Sequence, residues 1–248
     1  MILSLPTLPA NLQANLQAIH ERITKAARAA GREPSSVRLL AVSKTFPPEV
    51  IGVAAQAGQR AFGENYVQEA VAKMDELADI SPALEWHFIG PIQSNKTRLI
   101  AERFNWVQSV DRLKVAERLS EQRPDHLPPL NVLLQVNVSA EASKGGVAPD
   151  ALAQLAAEVD ALPHLCVRGL MAVPAPEDDV AQQRAAFARM RQLFDRLREQ
   201  SRARGPAGSE VDVLSIGMSS DLEAAIAEGS TMVRIGTAIF GTRQPRQA

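Results

Sequence analysis

A lysine closes the first apolar segment of the chain, Val37–Ser43. A primary amine at the end of a buried strand is partly desolvated, which lowers its pKa and frees its lone pair to condense with a carbonyl group. The chemistry that Lys44 offers is therefore imine formation. Lysines are mostly exposed in folded proteins, so the position alone equally suits a surface lysine at the start of a loop.

Two segments near the end of the chain carry residues that suit an anion. Gly217 and Ser219 lie in Ser215–Asp221, and Gly236 and Thr237 follow the last apolar segment. Glycine lets the backbone approach a ligand closely, and backbone N–H groups at helix starts favour negative charge. The two segments together predict a phosphate site.

A purely structural interpretation covers part of the first segment. Ser220 and Glu223 have the Ser-x-x-Glu spacing of a capping box at the start of a helix over Asp221–Glu228. That pattern predicts a helix start and accounts for Ser220. It leaves Gly217 and Ser219 to present an N–H group and a hydroxyl group to an anion.

Other polar side chains follow predicted strands, and each has two interpretations. Asn65 either hydrogen-bonds a ring substituent of a ligand or belongs to a turn before a helix, and His87 either lines the site or is a core histidine with satisfied hydrogen bonds. Ser94 or Asn95 suits the cap of a following helix. Lys144, before two glycines, either pairs with an anion or is solvated.

Eight short apolar segments separated by helical stretches would position these residues. Alternation of this kind predicts parallel strands joined by right-handed crossovers, and eight units suit a (β/α)₈ barrel. An open doubly wound sheet is the alternative, but it usually carries a glycine-rich turn after its first strand, where this chain has Ser43-Lys44-Thr45. The predicted strands are Val37–Ser43, Arg60–Gly63, Glu85–Ile89, Trp106–Val110, Asn131–Val138, Val167–Val173, Val213–Ile216 and Met232–Ile235.

An amphipathic helix over Pro9–Gly31 precedes the first strand. We expect residues 1–36 to form a helical extension, residues 244–248 to form a polar tail, and the whole chain, 1–248, to be one domain. Too little sequence follows the eighth strand for a second one. The other predicted helices are Pro48–Ala57, Arg112–Gln122, Asp150–Leu162, Val180–Arg204 and Asp221–Glu228.

Composition excludes several classes of function. The formal net charge of -1 gives no electrostatic basis for binding nucleic acid or an anionic membrane. The single cysteine, Cys166, excludes a disulfide framework and a cysteine-rich metal site. We find neither a signal peptide nor an apolar run long enough to cross a bilayer, and we expect a cytoplasmic protein.

The amine and the anion site would share one end of the barrel, because ligands of such barrels lie at the C-terminal ends of the strands, often with phosphate after the seventh and eighth. Lys44 closes the first strand, while Ser219 and Thr237 follow the last two. A phosphorylated aldehyde satisfies both features at once. The sequence therefore predicts a cofactor of that kind.

Six segments, in this order along the chain, resemble those of the pyridoxal phosphate homeostasis protein family. The resemblance implies a barrel similar to the N-terminal domain of bacterial alanine racemase, without that enzyme's C-terminal β-domain, and pyridoxal 5′-phosphate (PLP) as cofactor. The segments are Leu40–Lys44, Phe62–Asn65, Trp86–Lys96, Arg168–Met171, Leu214–Ser219 and Val233–Gly241.

The resemblance also implies a role for individual residues. Lys44 would be the Schiff-base lysine, and Arg234 would face the pyridine nitrogen. The remaining positions are Ser219, Gly236 and Thr237 at the phosphate, Gly217 and Met218 beside them, Asn65 and Met171 around the ring, and Ser215 in the same pocket.

Two functions suit such a site, a PLP carrier and a PLP-dependent amino-acid racemase. Racemases of this resemblance use a tyrosine from a second domain, and two-base racemisation needs an acid/base on each face of the substrate. The only tyrosine here is Tyr66, and no second base besides Lys44 is evident. We therefore predict a monomeric, non-catalytic protein of PLP homeostasis that delivers PLP to apo-enzymes. A Schiff-base aldolase for a sugar phosphate is a third possibility.

Overall fold

The chain folds into a closed barrel of eight parallel strands in sequence order. The computed structural model describes residues 11–139, 145–174, 177, 179–205 and 209–242. This confirms the barrel and excludes the open doubly wound sheet. The strands are β1 (Arg38–Val42), β2 (Ala61–Glu64), β3 (Glu85–Phe88), β4 (Trp106–Val110), β5 (Leu130–Gln135), β6 (Leu165–Met171), β7 (Val213–Ser215) and β8 (Met232–Ile235).

Helices surround the barrel, as the alternating pattern predicts. No helix in the described ranges combines the length and the apolar character needed to cross a bilayer. The helices are α1 (Leu12–Ala29), α2 (Pro48–Gln56), α3 (Val67–Glu76), α4 (Thr97–Arg103), α5 (Leu113–Gln122), α6 (Leu152–Asp160), α7 (Val180–Ala203), α8 (Leu222–Ala227) and α9 (Thr237–Phe240).

Two strands end more than one residue earlier than their apolar segments predict. Strand β5 stops at Gln135 rather than Val138, and β6 stops at Met171 rather than Val173. Val136 and Val138 are nevertheless buried. Apolar residues continue past the ends of the strands into buried loops, so an apolar run does not mark where the hydrogen-bonded ladder stops.

The apolar core has two layers, because side chains of a strand alternate between the barrel interior and the surrounding helices. Leu40 belongs to the interior, whereas its neighbours Leu39 and Ala41 pack in the outer layer. The interior group is small, which leaves room there for polar side chains. It consists of Leu40, Ala61, Trp106, Leu133, Met171, Val213 and Met232, with Ile89 against it.

The N-terminal helix packs against the last two helices. Leu12, Leu16, Ile19 and Ile23 are buried on one face of α1, as their spacing predicts. The Asn15 side chain donates a hydrogen bond to the backbone oxygen at the end of α9 (2.9 Å). Helix α1 therefore supports the elements that follow β7 and β8. Residues 1–10 and the predicted tail, 244–248, lie outside the described residues.

Candidate functional site at the barrel mouth

Lys44 lies two residues after the end of β1 and is half-buried at the C-terminal end of the barrel. The side chain of Ser43 faces the helix layer, where it hydrogen-bonds Glu64, so the side chain of Lys44 starts on the interior side. The next residue, Thr45, has a φ of 69°. This left-handed conformation is uncommon for a β-branched residue, and it turns the chain sharply just after the lysine.

A buried ion cluster holds the strand end that carries Lys44. The Lys73 ammonium group, on α3, lies 2.9 Å from the backbone oxygen of Ser43. It also lies 2.8 Å from a carboxylate oxygen of Glu64 and 2.7 Å from one of Glu69. Glu69 in turn accepts a hydrogen bond from the backbone N–H of Thr45 (2.5 Å). The backbone on both sides of Lys44 is thus held by side chains of α3, in the helix layer outside the barrel.

The carboxyl group of Glu64 is fully buried in this cluster. Burial raises its pKa, and the nearby Lys73 ammonium and the hydrogen bonds from Lys73 and Ser43 oppose that rise. A buried charge of this kind is tolerated only while its partner is present. The cluster therefore supports the strand that leads to Lys44, and loss of any one of its side chains would weaken that support.

Arg234 lies on β8, beside Leu40 of β1, and its guanidinium group reaches across the mouth toward β7 and β6. It donates to the backbone oxygen of Ser215 (2.6 Å), to the Ser215 hydroxyl (2.8 Å) and to the backbone oxygen of Ala172 (2.8 Å). Among the residues the structure describes, these bonds take three of the five N–H donors of an arginine, and two remain for a ligand. Burial lowers the pKa of Arg234 to about 10, so the group stays charged at neutral pH.

The segment between β7 and α8 is anchored from both of its sides. Arg22 on α1 donates to the backbone oxygen of Ser219 (3.1 Å), and Asp221 accepts the N–H of Met218 (2.5 Å). Gly217 has a φ of 95°, and a methyl group added there would lie 2.5 Å from the Cβ of Ala225. The Met218 N–H is therefore engaged within the protein, while the loop as a whole is held in one conformation.

The predicted capping box at the start of α8 is wrong. Helix α8 begins at Leu222 with Asp221 as its N-cap and with no side-chain capping bond. Glu223, the expected partner of Ser220, is held by Arg22 through two bonds of 2.9 Å. The ion pair with α1 competes successfully for the carboxylate, because it satisfies both of its oxygens in a bidentate geometry.

The end of β8 lies against β1. A methyl group added to Gly236 would lie 3.1 Å from the backbone oxygen of Val42, which leaves little room for any side chain. Thr237 follows as the exposed first residue of α9. The rings of Phe46 and Phe240 are 5.1 Å apart, so the loop after Lys44 packs on the same helix. The lysine strand and the predicted phosphate helix are thus in contact at two points.

Asn65 lies after β2, and its position depends on Gly90, which follows β3. A methyl group added to Gly90 would overlap the backbone oxygen of Asn65 and lie 2.8 Å from its Cα. The Asn65 Oδ1 atom is buried and has no hydrogen-bond partner among the described residues. A buried acceptor without a partner is costly, so this atom suits a bound ligand that donates to it.

Met171 and Ser215 are paired in register at the ends of β6 and β7, where both are buried. His87 is fully buried in the barrel interior with both ring nitrogens hydrogen-bonded, which supports the core interpretation rather than a place at the mouth. The cap predicted at Ser94 or Asn95 is wrong, because α4 begins later, at Thr97, without a side-chain capping bond. Lys144 lies outside the described residues.

The residues at this mouth fit a phosphorylated aldehyde with an aromatic ring. Lys44 supplies a half-buried amine, and Arg234 supplies N–H donors for a ring acceptor. Asn65 supplies the buried acceptor without a partner. Ser219, in the loop after β7, and Thr237, the first residue of α9 after β8, supply hydroxyl groups. The donor set matches the three parts of such a molecule.

Four residues that support the site are not apparent from the sequence. Arg22, Asp221 and Lys73 bond the backbone of site residues or of their neighbours. Arg22 and Lys73 lie in segments that look like ordinary surface helices, and Asp221 lies in the predicted anion segment but has no predicted role there. Gly90 offered a signal, since a glycine at a predicted strand end can mark a close approach of two backbones.

Comparison with known proteins places the chain in a family. Residues 14–244 match the family described as alanine racemase, N-terminal domain. The chain is 60% identical over 229 residues to the pyridoxal phosphate homeostasis protein of Pseudomonas aeruginosa, covering 92% of this chain and 94% of that protein. It is 54% identical over 232 residues to the protein of that name from Pasteurella multocida, covering 94% and 97%.

Solved structures agree with the fold. PipY of Synechococcus elongatus, solved with PLP bound, is 37% identical with a TM-score of 0.80, and the match covers 93% of this chain and 100% of that one. An alanine racemase from Corynebacterium glutamicum is 20% identical with a TM-score of 0.63, covering 94% of this chain and 63% of that one. The second likeness concerns the barrel alone.

Proposed function

The chain belongs to the alanine racemase N-terminal domain family and, within it, to the pyridoxal phosphate homeostasis proteins, and we propose that it binds PLP as a Schiff base on Lys44. The observation that carries this proposal is the convergence of Lys44, Arg234 and the loops after β7 and β8 at one mouth. In this proposal the protein holds PLP for use elsewhere in the cell and does not turn over a substrate.

In this proposal each residue of the site contacts a different part of the cofactor. The aldehyde carbon of PLP is the electrophile, with which the Lys44 amine condenses with loss of one water. The amine is half-buried, and its neutral form is the nucleophile in this step. Arg234 donates from one of its remaining N–H groups to the pyridine nitrogen, and Met171 packs against the ring.

The phosphate lies between the two last loops in this proposal. Ser219 and Thr237 donate their hydroxyl hydrogens to phosphate oxygens, and Gly217 and Gly236 admit the anion close to the backbone. Arg22 and Asp221 keep the first loop in place. Asn65 accepts a hydrogen bond from a ring substituent.

A carrier is favoured over a racemase by the chemistry of the mouth. Arg234 keeps its own proton at neutral pH and leaves the ring nitrogen unprotonated, which weakens the ring as an electron sink. Racemases that resemble this barrel also place an arginine there, so this feature alone does not separate the two functions. The racemases use a tyrosine from a second domain, whereas the one tyrosine of this sequence, Tyr66, lies on the barrel itself, just after β2, and is 43% exposed. In this proposal the mouth is open to solvent, and an open site excludes water poorly and suits exchange of the cofactor rather than carbanion chemistry.

Reduction with borohydride followed by peptide mass spectrometry tests the proposal. We expect a pyridoxyl adduct on Lys44 and loss of the near-visible absorption band in Lys44→Ala, with the band kept in Lys114→Ala as a matched lysine control. An unchanged band in Lys44→Ala would contradict the assignment. Incubation of the loaded protein with L-alanine tests the second function, since sustained formation of D-alanine would make the protein a racemase.

We further propose that the protein is a cytoplasmic monomer of one domain that delivers PLP to apo-enzymes. In this proposal the mouth of the single barrel is open, so the cofactor lies within reach of another protein. Mixing the loaded protein with a PLP-dependent apo-enzyme, with free PLP trapped by an excess of a carbonyl reagent, tests direct delivery. Activation of the apo-enzyme despite the trap supports it, and loss of all activation contradicts it. Light scattering gives the mass in solution.

A further inference from the structure

A line of polar side chains crosses the interior of the barrel. It begins at Arg38 and Glu85, at the N-terminal ends of β1 and β3, and ends at Arg234 at the mouth. The interior of such barrels is usually filled by layers of branched apolar side chains. Five consecutive hydrogen bonds in this position are a feature that the fold itself does not require.

The four links from Arg234 to Glu85 have normal hydrogen-bond lengths, and the ion pair between Arg38 and Glu85 is shorter. The side chains in between are His87 on β3, Gln108 on β4 and Ser215 on β7, and all three are fully buried. The links are Arg234–Ser215 at 2.8 Å, Ser215–Gln108 at 2.8 Å, Gln108–His87 at 2.9 Å, His87–Glu85 at 2.7 Å and Arg38–Glu85 at 2.5 Å.

The donors of the line all point the same way from Arg234 as far as Glu85. The Gln108 amide nitrogen faces both the Nδ1 atom of His87 and the sulfur of Met232 (3.2 Å), which uses both of its hydrogens. Its oxygen is then left to accept from the Ser215 hydroxyl. His87 Nδ1 is an acceptor in this arrangement, so the ring hydrogen is on Nε2 and donates to Glu85.

The protonation states of His87 and Glu85 agree with this direction of the hydrogen bonds. Burial lowers the pKa of His87 against the opposing effect of its bond to Glu85, which keeps the ring neutral. Burial alone would raise the pKa of Glu85, but the bonds from His87 and Arg38 outweigh it and hold the pKa at about 2. The His87 ring also stacks on Trp106, with centroids 5.2 Å apart. A neutral ring between fixed neighbours has one orientation.

We propose that Gln108 and His87 are positioning residues for bound PLP, because they orient the Ser215 hydroxyl that holds the Arg234 guanidinium group at the cofactor ring. This inference rests on the proposed function. The guanidinium group bonds the Ser215 backbone oxygen and the hydroxyl with the same nitrogen. The hydroxyl directs its own hydrogen to Gln108, and this orientation leaves its lone pairs to accept from Arg234.

Removal of the line frees the hydroxyl to rotate and the guanidinium group to leave the ring nitrogen. In Gln108→Leu, we expect PLP to dissociate about tenfold faster, as for the loss of one hydrogen bond to a charged group, and the absorption maximum of the bound cofactor to shift. His87→Leu is expected to act in the same direction. His87→Asn keeps an acceptor near the Nδ1 position and is expected to restore most of the parent behaviour.

The experiment measures the dissociation rate of PLP and the near-visible spectrum of each variant, with circular dichroism to confirm folding. Leu133→Ala, which opens a cavity in the same interior layer without removing a polar group, is the control for destabilisation alone. Parent-like rates and spectra in a folded Gln108→Leu protein would overturn the inference. Equal effects in Leu133→Ala and Gln108→Leu would also overturn it.

A measurement on the unaltered protein covers the case in which the leucine variants do not fold. Nitrogen-15 spectra of labelled histidine are expected to show a neutral His87 ring with its hydrogen on Nε2, and its resonances are expected to move when PLP is added. Absence of both features contradicts the inference. Failure of the proposed function has a different signature, because the parent protein would then carry no adduct on Lys44 in any of these experiments.

Discussion

The Lys73 ammonium group lies 2.9 Å from the backbone oxygen of Ser43, the residue just before Lys44. Lys73 is also the partner of the buried Glu64 carboxylate, and their side chains are 5% and 0% exposed. Lys73→Met leaves that carboxylate without its partner. We expect a loss of about 3–5 kcal/mol in the free energy of unfolding, measured by urea titration, and faster release of PLP.

Two variants interpret that result. Arg98→Ala breaks an exposed ion pair with Glu102 and is expected to cost only about 0–1 kcal/mol. Adding Glu64→Gln to Lys73→Met removes the uncompensated charge and is expected to recover part of the stability. A stability of Lys73→Met equal to that of the parent would show that the cluster does not support the lysine strand.

Gly90→Ala tests the packing of Asn65. The added methyl group overlaps the Asn65 backbone, so the loop after β2 must move. We expect weaker binding of PLP and lower stability. Gly52→Ala, within α2, is the matched control, because its added methyl group would lie 4.0 Å from Leu77 and would meet no clash. We expect this variant to gain up to about 1 kcal/mol in the free energy of unfolding. Parent-like affinity in Gly90→Ala would remove Asn65 from the site.

Arg22→Ala tests whether α1 supports the phosphate loop. The variant loses the bond to the Ser219 backbone oxygen and both bonds to Glu223. We expect PLP to be lost several times faster on dialysis while the fold persists. Lys25→Ala, an exposed residue one turn along the same helix, should behave as the parent does. Unaltered retention in both variants would limit α1 to a role in stability.

Thr237→Val tests the hydroxyl assigned to the phosphate. The substitution keeps the shape of the side chain and removes one hydrogen bond to a charged group, on the order of 1.5–3 kcal/mol. The dissociation constant for PLP is expected to rise by about 10- to 150-fold. Thr24→Val on α1 is the control. Retention of full affinity would mean that the phosphate lies elsewhere.

Buried His87 predicts an acid-sensitive stability. Burial lowers its pKa below the unfolded value of about 6.5, so the unfolded chain binds a proton that the folded chain resists. The stability tied to the neutral ring is present above about pH 6.5 and is lost as the pH falls toward the folded pKa. Glu85, with a pKa of about 2, stays ionised over that range.

Urea titrations at several pH values give the measurement. The slope from one proton is at most about 1.4 kcal/mol per pH unit, and His87→Asn should lack that part of it. The other histidines contribute equally to parent and variant, so the difference isolates His87. A slope that is identical in both proteins would show that the ring is not held neutral by burial.

The sequence by itself determined the barrel, and it predicted the main site residues. Eight apolar segments alternating with helices admit few topologies. Lys44 and Thr237 follow predicted strands, and ligands of such barrels bind at that end of the strands. The resemblance to a known family supplied the assignment of Arg234 to the ring nitrogen. These features are local or periodic, and they can therefore be read along the chain.

Only the tertiary structure decided which residues support the site. Arg22 contacts Ser219 and Glu223 across about 200 positions of sequence, and Gln108 joins His87 to Ser215 through the barrel interior. No spacing rule predicts such pairs. Their partners meet because the barrel closes and because interior side chains of different strands lie at one level, a condition that exists only once all eight strands are in register.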